Sequence, residues 1–174
     1  MKAQVVYESM FGNTRDVAVA ISEGLAAHVP TDVTEIDDAD RESGENIDLL
    51  VAGGPTHAFG LTWSRTRSDA ASRATMPLVS RGHGLREWLG ELPRSTTTRN
   101  AATFDTRVRV RGLPGSAAKG AARRLRRRGY RLVAAPESFY VTGTTGPLAD
   151  GELERARAWG DQLGRELRDD AEPA

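Results

Sequence analysis

Residues 3–14 read Ala-Gln-Val-Val-Tyr-Glu-Ser-Met-Phe-Gly-Asn-Thr, and this stretch decides how the chain begins to fold. The apolar run from Ala3 to Tyr7 predicts a short buried β-strand. After a turn, apolar residues recur at helical spacing from Asn13 to about Val29, and Pro30 marks the end of the predicted helix. Gly24 weakens that helix slightly, because glycine is a poor helix former.

The turn between this strand and this helix is a candidate phosphate-binding site. The N-terminus of a helix offers unpaired backbone N–H groups and the positive end of the helix dipole, so an anion binds there favourably. Gly12 permits a tight turn, and the side chains of Ser9, Asn13 and Thr14 can donate hydrogen bonds to phosphate oxygens. The alternative is that Asn13 or Thr14 only caps the helix.

Composition excludes several classes of function. The chain has 174 residues, 39% of them apolar and 28% charged, which is typical of a globular domain with a real core. It has no cysteine, which removes disulfides, thiol catalysis and thiolate metal sites. Its three histidines show no metal-ligand spacing. No apolar run approaches the roughly 20 residues that a membrane span needs, so we expect no membrane span and a cytoplasmic location.

Positive charge is concentrated in the second half of the chain. Ten basic residues and no acidic residue lie between Arg107 and Arg131. Such a run can bind an acidic protein, a nucleic acid or an anionic membrane, but it is more often a solvated helix face. Aromatic residues do not interleave with these arginines, so no nucleic-acid partner is expected.

Strand patterns and helix patterns alternate along the whole chain, which predicts a parallel sheet with helices on both faces. We expect a single domain over residues 1–168, followed by a frayed tail over residues 169–174. The further predicted strands are residues 32–36, 47–54, 100–104 and 130–141, the last broken at Pro136, and the further predicted helices are residues 63–74, 85–89, 116–128 and 151–167.

Ligands of such sheets bind beyond the carboxyl ends of the strands, so the loops there are candidate binding segments. After the third strand, the loop from Pro55 to Gly60 offers His57 and Phe59 to a flat ligand. After the fourth strand, we expect a loop over residues 104–107, in which an aspartate and a threonine either contact a ligand or cap the next element. The Gly- and Thr-rich segment 142–148 either borders the site or turns the chain, and we favour the turn.

We call the turn from Ser9 to Thr14 the first turn. Together with the Gly-Gly-Pro-Thr loop that ends at Thr56, it resembles the flavodoxin family. Ser9, Gly12 and Thr14 match the family's phosphate turn, while Phe11 replaces one of its hydroxyl residues. The resemblance implies a three-layer, doubly wound α/β fold with a five-stranded parallel sheet in the order 2-1-3-4-5, and it implies bound FMN. The cofactor-binding residues that it implies are Ser9, Met10, Phe11, Gly12, Asn13, Thr14, Pro55, Thr56, His57, Ala58, Phe59, Gly60, Phe104, Asp105, Thr106 and Arg107.

Two functions are compatible with this resemblance. The first is an FMN-binding electron-transfer protein that exchanges electrons with a redox partner protein. The second is an FMN-dependent oxidoreductase of the quinone reductase or protoporphyrinogen oxidase type, with a small quinone-like substrate, residues 61–81 as a lid and His57 as a proton donor. Flavodoxins are usually strongly acidic, whereas this chain has no net charge, so the resemblance says more about the cofactor than about the partner.

Overall fold

The computed structural model describes residues 1–39, 47–72, 74, 77–95, 97, 99–110 and 115–170. The strands are β1 (Ala3–Tyr7), β2 (Thr31–Glu35), β3 (Leu49–Pro55), β4 (Arg99–Val108), β5 (Tyr130–Leu132) and β6 (Glu137–Val141). The helices are α1 (Asn13–Ala26), α2 (Ser64–Ser72), α3 (Leu85–Glu91), α4 (Ala117–Arg127) and α5 (Glu152–Asp169). No helix of the described residues is long and apolar enough to cross a membrane. The predicted tail beyond residue 170 lies outside the described residues.

The strands form one parallel sheet in the order β2-β1-β3-β4-β5, with β6 also paired to β4. β5 pairs with the start of β4 at residues 99–101, and β6 pairs with its end at residues 104–108. β5 and β6 therefore occupy one position in the sheet, as two halves of a strand interrupted near Pro136, which cannot donate to a ladder. The predicted α/β fold and strand order are confirmed.

The predicted loop after the fourth strand is wrong, because residues 104–107 belong to β4. The strand continues past its apolar start since both neighbours extend with it: Pro55 of β3 is opposite Thr106, and Val141 of β6 is opposite Val108. Backbone pairing on both sides satisfies the polar groups of this longer strand. Its side chains consequently alternate between the two faces of the sheet instead of turning together into one site.

Each face of the sheet buries its own apolar core. On one face, α1 and α5 pack over Val5, Phe104 and Phe139. On the other face, α3 and α4 pack over Val6 and Leu50. The helices α1 and α5 make the most extensive helix–helix contact, and glycines on both helices allow their backbones to approach closely.

Candidate functional site

A cavity of about 650 Å³ opens at the carboxyl ends of the parallel strands, between the first turn, the loop after β3 and the end of β4. This volume is in the range of small-molecule and cofactor sites. Of the residues predicted from sequence, those that line it are Met10, Phe11, Asn13, Thr14, Pro55, Thr56, His57, Ala58, Phe59, Thr106 and Arg107. The sheet topology therefore brings together most of the predicted residues from three separate segments.

The cavity is bordered by the turn at the start of α1, which is the phosphate site predicted from the sequence. Gly12 is the N-cap, with φ +95°, a left-handed conformation that favours glycine. The Ser9 hydroxyl accepts hydrogen bonds from the N–H groups of Gly12 (3.1 Å) and Arg15 (3.3 Å), so it braces the turn. Within the described part of the chain, the N–H groups of Phe11, Asn13 and Thr14 have no protein acceptor. These groups lie at the positive end of the helix dipole, where an anion is stabilised.

The side chains of Asn13 and Thr14 do not cap the helix, so the capping alternative is wrong. The Asn13 amide nitrogen donates to the carbonyl oxygen of Thr145 at 3.1 Å. The Thr14 hydroxyl is buried and lies 2.7 Å from the Thr106 hydroxyl of β4. Both contacts tie the start of α1 to other segments that line the cavity, and this fixes the position of the first turn relative to the end of β4.

The loop after β3 ends in a tight turn at the mouth of the cavity. His57 and Gly60 exchange two backbone hydrogen bonds of 3.0 Å, which leaves Ala58 and Phe59 at the tip. Both tip residues have positive φ, +43° and +70°, in a turn that normally takes asparagine and glycine. Backbone strain of this kind is frequent at ligand sites, where the surrounding structure enforces it. The Phe59 ring is 55% exposed beside the cavity.

His57 lines the cavity below this turn and is half-buried. Burial lowers the pKa of His57, and the nearby positive charge of Arg67 lowers it further, while a hydrogen bond with the backbone of Thr66 acts in the opposite direction. The imidazole is therefore neutral near pH 7. In that state one ring nitrogen donates and the other accepts a hydrogen bond.

Five predicted residues do not line the cavity. Phe104 is fully buried in the α1/α5 core, and its ring centroid lies 6.3 Å from that of Phe139. Asp105 points to the opposite face, where its carboxylate accepts from the Thr56 hydroxyl (2.8 Å) and the Ala118 N–H (3.0 Å) and so caps α4. The structure thus supports the capping alternative for this aspartate. The other predicted residues that do not line the cavity are Ser9, Gly12 and Gly60.

Other residues that line the cavity were not among the predicted cofactor-binding residues. The loop after β6 contributes Thr144 and Thr145, so this segment borders the cavity, whereas the sequence favoured a simple turn. Helix α2 contributes Thr66, Asp69 and Ala70, although none of its residues is buried. Each segment carried a weak signal in the sequence. The loop after β6 is rich in hydroxyl side chains and lies at the carboxyl end of a strand, and α2 is too polar to belong to the core.

A buried carboxylate supports the segments behind the cavity. Glu8 follows β1 and is fully inaccessible to solvent. It accepts hydrogen bonds from the Thr62 hydroxyl (2.7 and 2.9 Å) and from the Leu85 N–H (2.8 Å). The Arg67 guanidinium in turn donates to the Thr62 hydroxyl and to Glu87. Glu8 therefore links β1 to the segments that lead into α2 and α3.

Replacing Glu8 with glutamine should change how stability depends on pH. Burial raises the folded-state pKa of Glu8 above its ordinary value of 4.5. The folded protein therefore loses stability as pH rises through that raised pKa, because ionisation is more costly in the folded state than in the unfolded one. Glu8→Gln lacks this ionisation, so we expect it to gain stability relative to the parent as pH rises above the ordinary glutamate pKa of 4.5.

Urea unfolding of both proteins at each pH measures this difference. Glu154→Gln, which removes an exposed carboxylate from the first turn of α5, is the control; because that carboxylate interacts favourably with the helix dipole, this variant should not gain stability over the parent at any pH. A Glu8→Gln curve that runs parallel to the parent would contradict the prediction.

Comparison with known proteins identifies the fold. Residues 5–79 match the flavodoxin family model. No curated protein sequence matches the chain. A flavodoxin from the domain Archaea superposes with a TM-score of 0.68 at 18% identity, over 97% of this chain and 99% of that chain. Flavodoxin 1 from Bacillus cereus gives a TM-score of 0.66 at 19% identity, over 97% and 98% of the two chains.

A further solved structure widens the comparison. The flavodoxin, WrbA-like protein from Agrobacterium tumefaciens superposes with a TM-score of 0.61 at 20% identity, over 97% of this chain and 98% of that chain. At such identities the similarity establishes the fold over almost the whole chain. Together with the sequence match over residues 5–79, it confirms the resemblance to the flavodoxin family, and the fold of this chain is flavodoxin-like.

Proposed function

We propose that this protein binds FMN in the cavity and acts as an electron-transfer protein. The observation that carries the proposal is the set of N–H groups of Phe11, Asn13 and Thr14, which lie at the positive end of α1 without a protein acceptor in the described part of the chain. A phosphate group satisfies such donors and the dipole at once. The cavity that opens above them has room for a flat ring system attached to that phosphate.

The residues present fit FMN as a ligand. The first turn would hold the phosphate, the hydroxyl-bearing walls would contact the sugar alcohol, and the turn at Ala58 and Phe59 would border the ring. Bound flavin would supply the one- and two-electron redox chemistry, which the side chains of this cavity do not. What the chain itself contributes is binding, orientation and control of water access.

Two features of the cavity would affect the redox behaviour of the bound flavin. Arg107 lines the cavity and donates to the carbonyl oxygen of Gly115 at 2.6 Å, which holds a positive charge near the site. A cation there favours a ligand state of higher negative charge. The strained peptides of the turn between His57 and Gly60 can reorient at lower cost than relaxed ones, so that either an N–H or a carbonyl faces the ligand.

A second candidate function is reduction of a small quinone-like substrate by the same bound flavin. The observation that favours it is α2, which lines the cavity through Thr66, Asp69 and Ala70 yet has no buried residue. A polar helix of this kind can form the wall of a substrate site. Steady-state turnover of a quinone with NAD(P)H by this protein alone would establish quinone reductase activity. If no turnover occurs, electron transfer is the function that stands.

Titration with FMN and with riboflavin tests the proposed ligand. Riboflavin has the same ring system and sugar alcohol but lacks the phosphate. Charge-assisted hydrogen bonds contribute about 1.5–3 kcal/mol each, so two of them make FMN bind about a hundredfold tighter or more. Quenching of flavin fluorescence measures both affinities. Equal affinities would contradict the phosphate site, and no binding of either compound would contradict the flavin site.

A further inference from the structure

The exposed side of α4 is entirely basic. Its alanines and Leu125 are buried against the sheet, while its solvent side carries four exposed cationic side chains. We call these four residues the α4 face: Lys119, Arg123, Arg126 and Arg127. None of them forms an ion pair with an acidic side chain of the described residues. The repulsion among these charges is therefore not relieved within the described part of the chain.

An aromatic residue and a further pair of arginines continue this surface toward the cavity. Trp63 is 56% exposed, and the Arg86 guanidinium lies over its ring at 3.6 Å from the centroid. Arg86 is fixed in place, because it donates to the carbonyl oxygens of Thr62 (2.9 Å) and Leu61 (2.7 Å). The Leu61 side chain packs on α4, where an added Cβ on Gly120 would lie 3.3 Å from it, so Arg86 lies next to this helix. Burial lowers the pKa of Arg86, and the positive charge of Arg124 on α4 lowers it further.

The α4 face begins beside the cavity mouth. The first N–H of α4, at Ala117, donates to the hydroxyl of the cavity residue Thr56 at 2.8 Å. Gly115, which precedes the helix, packs so closely on the carbonyl of Phe59 that an added Cβ would lie 2.0 Å from its oxygen. The start of α4 therefore lies against the loop that carries the exposed ring of Phe59.

We propose that the α4 face, together with Trp63 and Arg86, is a docking surface for an acidic electron-carrier protein. The proposal rests on the proposed function, since the partner exchanges electrons with the ligand of the adjacent cavity. Interfaces place exposed aromatic residues and arginines at their centre, and complementary charge steers the encounter. A protein is favoured over a nucleic acid because Arg86 already covers a face of the Trp63 ring on which a base would stack.

Binding of an acidic plant-type [2Fe–2S] ferredoxin in its oxidised state tests this surface. Isothermal titration calorimetry at about 25 mM and about 250 mM NaCl measures affinity, with and without added FMN, so no electron transfer is needed for the readout. We expect binding that weakens about tenfold or more at the higher salt concentration, because salt screens exposed charges.

Charge reversal locates the surface. Arg123→Glu with Arg127→Glu should weaken ferredoxin binding at low salt by about tenfold or more. The matched control is Arg165→Glu with Arg168→Glu on α5, which makes the same change in net charge on the opposite face and should bind nearly as the parent does. Equal losses in both double variants, or no salt dependence in the parent, would overturn the proposal.

The remaining outcomes are also distinct. If a short single-stranded oligonucleotide binds more tightly than the ferredoxin and the α4 variant abolishes that binding, the acidic-protein partner is wrong. If FMN fails to bind in the flavin titration while ferredoxin binding still depends on the α4 face, the docking surface stands and the electron-transfer function falls. If FMN binds and the ferredoxin does not, the docking surface falls and the proposed FMN site stands.

Discussion

Gly160→Ala should destabilise the folded protein by about 3 kcal/mol or more, because α1 and α5 pack backbone against backbone at this residue. A Cβ on Gly160 would lie 2.1 Å from the carbonyl oxygen of Ile21. A backbone atom cannot rotate away as a side chain can, so the two helices must separate and the core between them must loosen. The better helix propensity of alanine recovers only about 1 kcal/mol.

The reciprocal contact gives an independent test of the same interface. A Cβ on Gly24 of α1 would lie 2.1 Å from the carbonyl oxygen of Arg157 on α5. Gly24→Ala should therefore destabilise the protein to a similar extent. The matched control is Gly90→Ala in α3, where an added Cβ has no neighbour within 4 Å. This control should be neutral or stabilising by up to about 1 kcal/mol.

Urea unfolding followed by circular dichroism measures all three variants. A parent-like midpoint for Gly160→Ala and Gly24→Ala would show that the two helices are farther apart than the structure places them. A loss of stability in Gly90→Ala as large as in the other two variants would mean that alanine at a helical glycine is itself harmful here, and the close-contact explanation would fail.

Asn13→Asp should weaken FMN binding by about a hundredfold or more while leaving riboflavin binding nearly unchanged. A carboxylate at this position places a negative charge beside the proposed phosphate site, and two unit charges about 4 Å apart repel by about 4 kcal/mol at an effective dielectric constant of about 20. The folded protein should tolerate the change, since an acidic residue in the first turn of a helix interacts favourably with the helix dipole.

Asn13→Ala separates the charge from the lost hydrogen bond. Like the aspartate variant, it loses the bond from the Asn13 side chain to the carbonyl oxygen of Thr145, but it adds no charge. We expect FMN to bind this variant within about tenfold of the parent. If Asn13→Ala and Asn13→Asp lose the same affinity, or if riboflavin loses as much as FMN, the first turn does not hold the phosphate.

Most of the fold was predictable from local patterns. Apolar runs marked the central strands, and helical spacing marked α1, α4 and α5. The order of the strands came from the resemblance carried by the first turn and the loop after β3. Local pattern did not predict the full length of β4, because pairing with strands on both sides extends it beyond its apolar residues.

The candidate site was predictable where all of the sequence evidence for it lies within one continuous segment of the chain. The first turn and the loop from Pro55 to Phe59 lie where the sequence placed them. Phe104 and Asp105 were chosen as neighbours in one loop, but in a strand adjacent side chains point to opposite faces, so one enters the core and the other caps α4. The sequence did not indicate that Glu8 is a buried hydrogen-bond acceptor, because its partners Thr62 and Leu85 are distant in sequence.

The sequence by itself determined the alternation of strands and helices, the glycine turn at the start of α1 and the concentration of positive charge in α4. These are properties of consecutive residues, and they depend on backbone conformation and periodicity alone. Only the tertiary structure decided that Gly24 serves close packing with α5, that Thr144 and Thr145 line the cavity, and that Arg86 covers the ring of Trp63. Each of these depends on distances between segments far apart in the chain, which the folding of the sheet sets and no local pattern encodes.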